Sequence, residues 1–454
     1  MKCNNTRIVV IGAGFAGLSA ALKLKKEGVQ AIILEARERV GGRVKTHYTA
    51  NGTQIPLGGQ WIGPTQDKMY ELVKKYGIEI FPTKDQGNSI VKFQGKIQSE
   101  MPQEVLGLCE KLDKLAQTVN LEKPWETPNA KELDGETFRS WLNREAVSSE
   151  IAEFTSRYLA GNFLAADASD VSLLQLLFYV KSGNGIDSLS GVEGGAQQDR
   201  AIGGLEYIVE KLADDFGQQN IYYNHPVTQI KYSGDCVQVV TENETFHASR
   251  AIITIPSAVM PEVKFTPELP VLKHKCLEHV LAPLAYKMHF IYDKPFWYEQ
   301  GLSGNTTKSE GYVYETYNNT VDDSRDGIIS LFSYGNEANE LRSKTKQERQ
   351  QIITDELVEL FGEKAAQFKE YIEYDWSTQV YTRGCFSGHF STNGWYTLGK
   401  ELNKNIGPLY WAGTELAAQW NGYCDGAIRS GEETADRVIK SLKPGEQNQQ
   451  PHYK

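Results

Sequence analysis

Residues 8–43 begin Ile8-Val9-Val10-Ile11-Gly12-Ala13-Gly14-Phe15-Ala16-Gly17 and end with Glu35 and then Gly41-Gly42-Arg43. The run from Ile8 to Ile11 is short and unbroken in its apolar character, the pattern of a parallel strand buried on both faces. Each of the three glycines after it has its own task. Gly12 permits a tight turn, Gly14 lets backbone approach a pyrophosphate, and Gly17 lets the next helix pack against the strand. That helix, spanning residues 16–27, aims its N-terminal N–H groups and positive dipole end at the phosphates. Gly28 ends it, and residues 31–34 form a second strand. Glu35 closes this strand about 20 residues beyond the glycines, where a carboxylate accepts hydrogen bonds from ribose hydroxyls. Apolar run, glycine turn, helix and acid together read as a dinucleotide cradle, with Phe15, Ala16, Ala36 and Arg37 as its immediate neighbours.

Gly41-Gly42-Arg43, shortly after the acid, favours a flavin over a nicotinamide. Gly42 allows a further close backbone approach, and Arg43 can make a charge-assisted bond to the pyrophosphate. A glycine turn followed by a solvated arginine is the bland alternative, and it leaves the position of the turn without a reason.

Bulk properties narrow the class. At 454 residues the chain is longer than one core usually supports, so two domains are expected. A net charge of −10 argues against a nucleic-acid footprint and agrees weakly with a cationic substrate. Six cysteines, Cys3, Cys109, Cys236, Cys276, Cys385 and Cys424, are widely spaced. They read as free thiols in a reducing compartment, and no metal site is expected. The first residues lead straight into a strand, which leaves no expected signal peptide, and no apolar run approaches the length of a membrane span. The polar C-terminal tail is expected to fray. Together these give a soluble cytoplasmic protein as the expectation, with no membrane partner.

Strand-like runs dominate residues 1–60, 220–256 and 405–414, whereas helical periodicity is clearer in 102–118, 138–160, 171–181 and 346–362. Val239-Val240 is expected to form a hairpin with residues 251–256, and Val227 to end a strand that leads into the same sheet. Leu409-Tyr410-Trp411-Ala412-Gly413-Thr414-Glu415 reads as a strand entering a glycine turn. A helix is expected from near Gly422, with Ala427, Ala435 and Val438 on its apolar face. Strand, glycine turn and helix thus occur at both ends of the chain, and in a doubly wound sheet both converge on the carboxyl ends of the strands. The fold class expected is α/β. A discontinuous Rossmann-like domain comprises 1–85, 200–285 and 385–454, and an α+β substrate domain with a helical subregion comprises 86–199 and 286–384.

The ordered set of motifs resembles the flavin-containing amine oxidases, a family that includes monoamine, polyamine and L-amino-acid oxidases. The likeness covers nearly the whole chain. Beyond the N-terminal cradle it rests on Leu57-Gly58-Gly59-Gln60-Trp61, Gly194-Gly195-Ala196-Gln197-Gln198, Gly203-Gly204 and Lys294-Pro295-Phe296-Trp297. It continues through Trp376, Gly384-Cys385-Phe386, Ala412-Gly413-Thr414-Glu415 and Trp420-Asn421-Gly422-Tyr423.

The resemblance implies a two-domain flavoprotein that binds FAD and oxidises a small-molecule amine. The imine product is hydrolysed to an aldehyde or ketone, and O2 is reduced to H2O2 or another acceptor takes the electrons. It implies flavin contacts from Gly58, Gly59, Gln60, Trp61, Val227, Trp376, Gly413, Thr414, Glu415, Gly422, Tyr423 and Ala427. Cys385 matches the cysteine that carries the flavin through an 8α thioether in monoamine oxidases; a buried free cysteine is the alternative. Phe386 and Tyr423 match two facing aromatic positions that form a slot for the amine, with phenylalanine where the family most often has tyrosine. Gln197 is placed in the substrate cavity.

Two departures stand out against the family pattern. The lysine expected near the flavin N5 is sought around Asn336 or Glu337, yet no lysine occurs between Gly327 and Arg342. Lys287 lies in a strand where the family often has a lysine and is not read as that residue. The missing cation weighs against rapid reaction with O2 and favours another electron acceptor. The loop at Gln60-Trp61 also lacks the arginine with which L-amino-acid oxidases commonly hold a carboxylate. Arg200 and Arg383 are the remaining candidates for that clamp. The balance favours simple amines, with an L-amino-acid oxidase or dehydrogenase as runner-up and a catalytically idle flavoprotein as the reading from another class. A homodimer is left open.

Overall fold

The computed structural model describes residues 7–321 and 325–442; the expected fraying of the C-terminal tail falls outside them. Five short strands form one parallel sheet in the order Ile221–Tyr222, Ala31–Leu34, Ile8–Ile11, Arg250–Ile253 and Leu409–Trp411. The opening run is central and buried at every position, so it has no reason to alternate. Ile11 is level with both Leu34 and Ile253, so the strands end together. Gly12, Glu35, Thr254 and Ala412, each the next residue along, therefore meet at one edge. The helix Phe15–Lys26 leaves that edge and packs on the last helix, Cys424–Leu442. A Cβ on Gly431 would fall 2.2 Å from the Ala16 carbonyl oxygen, so the two helices approach to backbone contact.

The expected hairpin is corrected. Cys236–Thr241 pairs with Val227–Ser233 and Thr245–Ala248, while Arg250–Ile253 enters the parallel sheet. Short turns favour the sequential pairings, and the buried Ile252 and Ile253 need neighbours on both sides. Val227 begins its strand rather than ending one, because Pro226 before it has no N–H for the ladder.

A seven-stranded sheet carries the second part of the molecule, in the order Glu370–Asp375, Ala285–Tyr292, Gly327–Tyr334, Glu315–Asn318, Leu302–Lys308, Asn88–Phe93 and Lys96–Gln98. Ala285–Tyr292 is buried throughout. Tyr286, Met288, Phe290 and Tyr292 join one apolar cluster, which puts Ala285, Lys287, His289 and Ile291 on the opposite face. Helices cover this region, including Gln103–Ala116, Leu173–Ser182 and Lys346–Phe361. The helical stretch expected over 138–160 is divided into Phe138–Glu145 and Ser149–Ser156, the second running on into Arg157–Gly161. Ser148 accepts the Ile151 N–H and so starts the second helix. Among the described residues no helix is long and apolar enough to cross a membrane.

Candidate active site

A cavity of about 440 Å3 runs along the carboxyl edge of the parallel sheet and under the larger sheet. At one end lie Glu35, Ala36, Arg37 and Val227. Glu35 is 4% exposed; it accepts the Ala13 N–H at 2.8 Å and the Arg37 N–H at 2.9 Å. Burial pushes its carboxyl above the ordinary range, while these two N–H groups pull the other way.

The middle is formed by Gly12, Gly14, Phe15, Ala16, Gly42 and Arg43. Gly12 has φ +107°, and a Cβ there would stand 2.4 Å from Thr254 Oγ1. At Gly14, by contrast, the nearest neighbour of an added Cβ is Gly42 Cα at 3.8 Å, so the backbone is bare towards the cavity. Gly14 also caps the first helix without a side-chain bond, leaving N–H groups for a ligand. Gly17 does not line the cavity. Its Cβ would lie 1.9 Å from the Gly12 carbonyl oxygen, so this glycine serves the packing of helix on turn.

At the far end stand Gly58, Gly59, Trp376, Cys385, Phe386, Gly413, Thr414, Gly422, Tyr423 and Ala427. Trp376 donates Nε1–H to the Leu57 carbonyl at 2.8 Å. The Cys385 thiol faces the Pro283 carbonyl at 3.7 Å, and burial pushes its pKa up. Phe386 has φ +27°, a strained value for a non-glycine residue, and Arg43 donates to its carbonyl at 2.5 Å. The Phe386 ring packs against Phe332 and Tyr334, with centroids 6.5 and 5.9 Å away. Tyr423 belongs to a separate aromatic group with Tyr179 and Trp420, at 6.4 and 4.9 Å.

Several expected site residues hold other partners or stand behind the cavity surface. Arg43, assigned to the pyrophosphate, has its guanidinium against both carboxylate oxygens of Glu415, at 2.5 and 3.2 Å. Glu415 stands behind the cavity surface for the same reason; burial opposes its ionisation, but Arg43 outweighs that and holds the carboxyl below its ordinary range. Gln197 is outside the lining because its amide donates to the Leu189 carbonyl at 3.0 Å. Gln60 and Trp61 also lie behind it. Gln60 bridges Lys287 and Asn319, and Trp61 packs edge-on to Tyr317 at 4.8 Å.

A lysine from another strand does reach the cavity. Lys287 lines the cavity beside Ala285 and Phe332; its amine donates to the Gly58 carbonyl at 2.9 Å and to Gln60 Oε1 at 2.6 Å. Burial, reinforced by Arg200, pushes it well below the ordinary lysine range. The signal was present in the alternation of residues 285–292, which puts Lys287 opposite the Met288 and Phe290 face. The arginines considered as carboxylate clamps both lie outside the lining: Arg200 donates through Nη1 to the carbonyls of Asn319 and Thr320, and Arg383 pairs with Glu262.

One residue was missed altogether. Glu315 is 6% exposed, accepts the Tyr334 and Tyr317 hydroxyls at 2.6 and 2.9 Å, and has no cationic partner among the described residues. Burial pushes its carboxyl up to about 7, against the pull of the two hydroxyls. The only trace in the sequence was a lone acid in the aromatic stretch Tyr312-Val313-Tyr314-Glu315-Thr316-Tyr317.

The bare glycine backbone, the uncapped helix start and the buried acid at the strand end fit an elongated dinucleotide, and the aromatic end fits its flavin ring. Comparison with known proteins agrees. A family model for flavin containing amine oxidoreductases matches residues 15–439. A putrescine oxidase from Kocuria rosea is 30% identical, with 95% of each chain covered. An L-amino acid dehydrogenase from Synechocystis is also 30% identical, over 96% of this chain and 95% of the relative. The solved structure of a putrescine oxidase bound to putrescine superposes with a TM-score of 0.92 at 28% identity, covering 96% of this chain and 99% of that one.

Proposed function

Because the chain belongs to the flavin containing amine oxidoreductases and is an FAD-dependent enzyme acting on amines, we propose a finer reading: its substrate is a small aliphatic amine that carries a second cationic group. The observation that carries this reading is Glu315, a buried carboxyl without a cation, one aromatic ring behind the cavity wall. A second ammonium near it would supply the missing counter-charge and return the carboxyl to its ionised form. The putrescine oxidases among the relatives are consistent with that substrate class.

FAD, when bound, takes a hydride equivalent from the α-carbon, leaving an imine that water hydrolyses to aldehyde and ammonia. The protein supplies the rest. Glu35 would receive the adenosine ribose, while Gly14, Gly42 and the helix start at Phe15 would receive the pyrophosphate. Cys385 would be the point of covalent attachment. Phe386 and Tyr423 would flank the reacting amine, offering π faces to its nitrogen and excluding water. That apolar setting disfavours the ammonium and supplies the free base from which C–H transfer proceeds. Lys287 places at the cavity an amine that can take up a proton as negative charge develops there, so O2 is the acceptor of this reading. A preference for α-amino acids would need a carboxylate partner at the cavity, and neither Arg200 nor Arg383 lines it.

Anaerobic mixing with putrescine, n-butylamine, tyramine and L-arginine tests the reading. Putrescine should bleach the flavin with a kcat/KM about 10- to 100-fold above that of n-butylamine, the worth of one hydrogen-bonded charge. Glu315→Gln should abolish that preference while leaving n-butylamine oxidation in place. Equal bleaching by both amines, or bleaching by L-arginine alone, would overturn it.

A further inference from the structure

Arg200 is 1% exposed, lies over the Phe81 ring at 4.9 Å and meets no carboxylate among the described residues. A buried guanidinium without an acid is costly; burial brings its pKa down to about 9, which still leaves it protonated at neutral pH. Its one firm anchor is the chain just beyond the strand Glu315–Asn318: Nη1 donates to the Asn319 carbonyl at 3.0 Å and to Thr320 at 3.4 Å. From there a relay runs to the cavity. Asn319 Oδ1 accepts the Gln60 amide N–H at 3.2 Å, and Gln60 Oε1 accepts Lys287 Nζ at 2.6 Å. Because Asn319 takes the N–H end of Gln60, the carbonyl end is the one presented to Lys287.

We infer that Arg200 is a positioning residue for Lys287, fixing the amine at the cavity wall through Asn319 and Gln60 and opposing a second positive charge there. This rests on the reading that the cavity holds FAD and that Lys287 faces the reaction. Two buried cations in one region, with no acid between them, cannot both keep their protons cheaply, and lysine is the one that yields. Glu315 stands on the same sheet row beyond Phe332, with burial pushing its carboxyl up to about 7, and the remaining groups facing Lys287 supply no negative charge. His289 shares its strand face and is driven towards the neutral form by burial. Tyr374 stands opposite it in the sheet register and Cys385 shares the cavity, and burial raises the pKa of both, keeping them uncharged. Lys287 is thereby held as a free amine, able to take a proton during turnover.

The test compares the wild-type holoenzyme with Arg200→Met, Arg200→Lys and Lys287→Met. Acetylation of Lys287 by acetic anhydride, followed across pH by peptide mass spectrometry, reports the fraction of free amine without depending on turnover. Reoxidation of photoreduced flavin by O2, followed across pH by stopped-flow absorbance, reports its consequence. Arg200→Met should move the labelling inflection upward by about one to two pH units, with the reoxidation inflection following it. Arg200→Lys should move both less, because its buried amine keeps only part of the charge, and Lys287→Met should remove the reoxidation inflection. An unmoved labelling inflection in Arg200→Met, or an equal shift in Arg200→Lys, overturns the inference. If Arg200→Met does not fold, Arg200→Gln removes the charge with a polar side chain in place and is read by the same criteria. A labelling shift with pH-indifferent reoxidation would instead sink the flavin-facing role of Lys287 and leave the coupling to Arg200 standing.

Discussion

Arg43 and Glu415, 372 positions apart, form a two-pronged ion pair at 2.5 and 3.2 Å. The pair ties the first glycine motif to the last one, and through the Phe386 carbonyl it also holds the strained residue that faces the cavity. Glu415→Ala leaves the guanidinium largely enclosed without its partner, a change that costs about 3–5 kcal/mol when a buried pair is broken. Urea unfolding should show that loss, and the purified variant should carry less flavin. The sign against pH follows from the depressed carboxyl of Glu415. Its contribution is present above the ordinary glutamate pKa and is lost as pH falls through the folded value.

Two glycines only three positions apart should fail differently. Gly17→Ala drives a methyl group into the Gly12 carbonyl, 1.9 Å away, and should lower thermal stability and soluble yield. Gly14→Ala meets nothing closer than 3.8 Å and should fold with near wild-type stability as the apoprotein. Its methyl group occupies the bare stretch proposed for the pyrophosphate, so flavin content should fall at least tenfold, read by absorbance. A flavin-replete Gly14→Ala enzyme would contradict that placement.

Covalent attachment through Cys385 is checked by acid precipitation. Yellow colour should remain in the wild-type pellet and move to the supernatant in Cys385→Ala. Complete extraction from the wild type would refute the link while leaving FAD binding intact.

Lys273 gives a prediction in pH. It is fully buried, donates to the Glu401 and Leu402 carbonyls at 2.8 Å and lies 3.8 Å from the Trp411 ring centroid, with burial bringing its pKa down to about 7. Between that value and the unfolded lysine pKa the unfolded chain binds more protons, so this group makes stability rise with pH over the window. Glu315, raised to about 7, acts in the opposite sense: its contribution is full below the unfolded glutamate pKa and is lost as pH rises towards 7. Thermal melts from pH 5 to 10 should show Lys273→Met losing the alkaline rise and Glu315→Gln losing the acid-side fall.

Much of the cofactor half was legible because its signals are local. The strand Ala31–Leu34, the helix Phe15–Lys26 and the turn at Gly413 each follow from a few adjacent residues. The hairpin error at residues 239–256 has the opposite origin, since which of several buried strands pair is decided by neighbours far along the chain. Among candidate site residues, Phe386, Cys385 and Tyr423 were found by their motifs, whereas Glu315 carried no motif and Lys287 was set aside.

Sequence alone determined the dinucleotide cradle and the family, because glycine spacing, apolar runs and an acid at a strand end act over short distances. Tertiary structure decided which charges answer one another. Nothing within a few residues of Lys287 says that it meets Gly58 and Gln60 and is linked through Asn319 to Arg200, and nothing near Arg43 points to Glu415. Burial makes the reading of a charge depend on its partners, and those partners come from strands and loops that only the folded chain brings together.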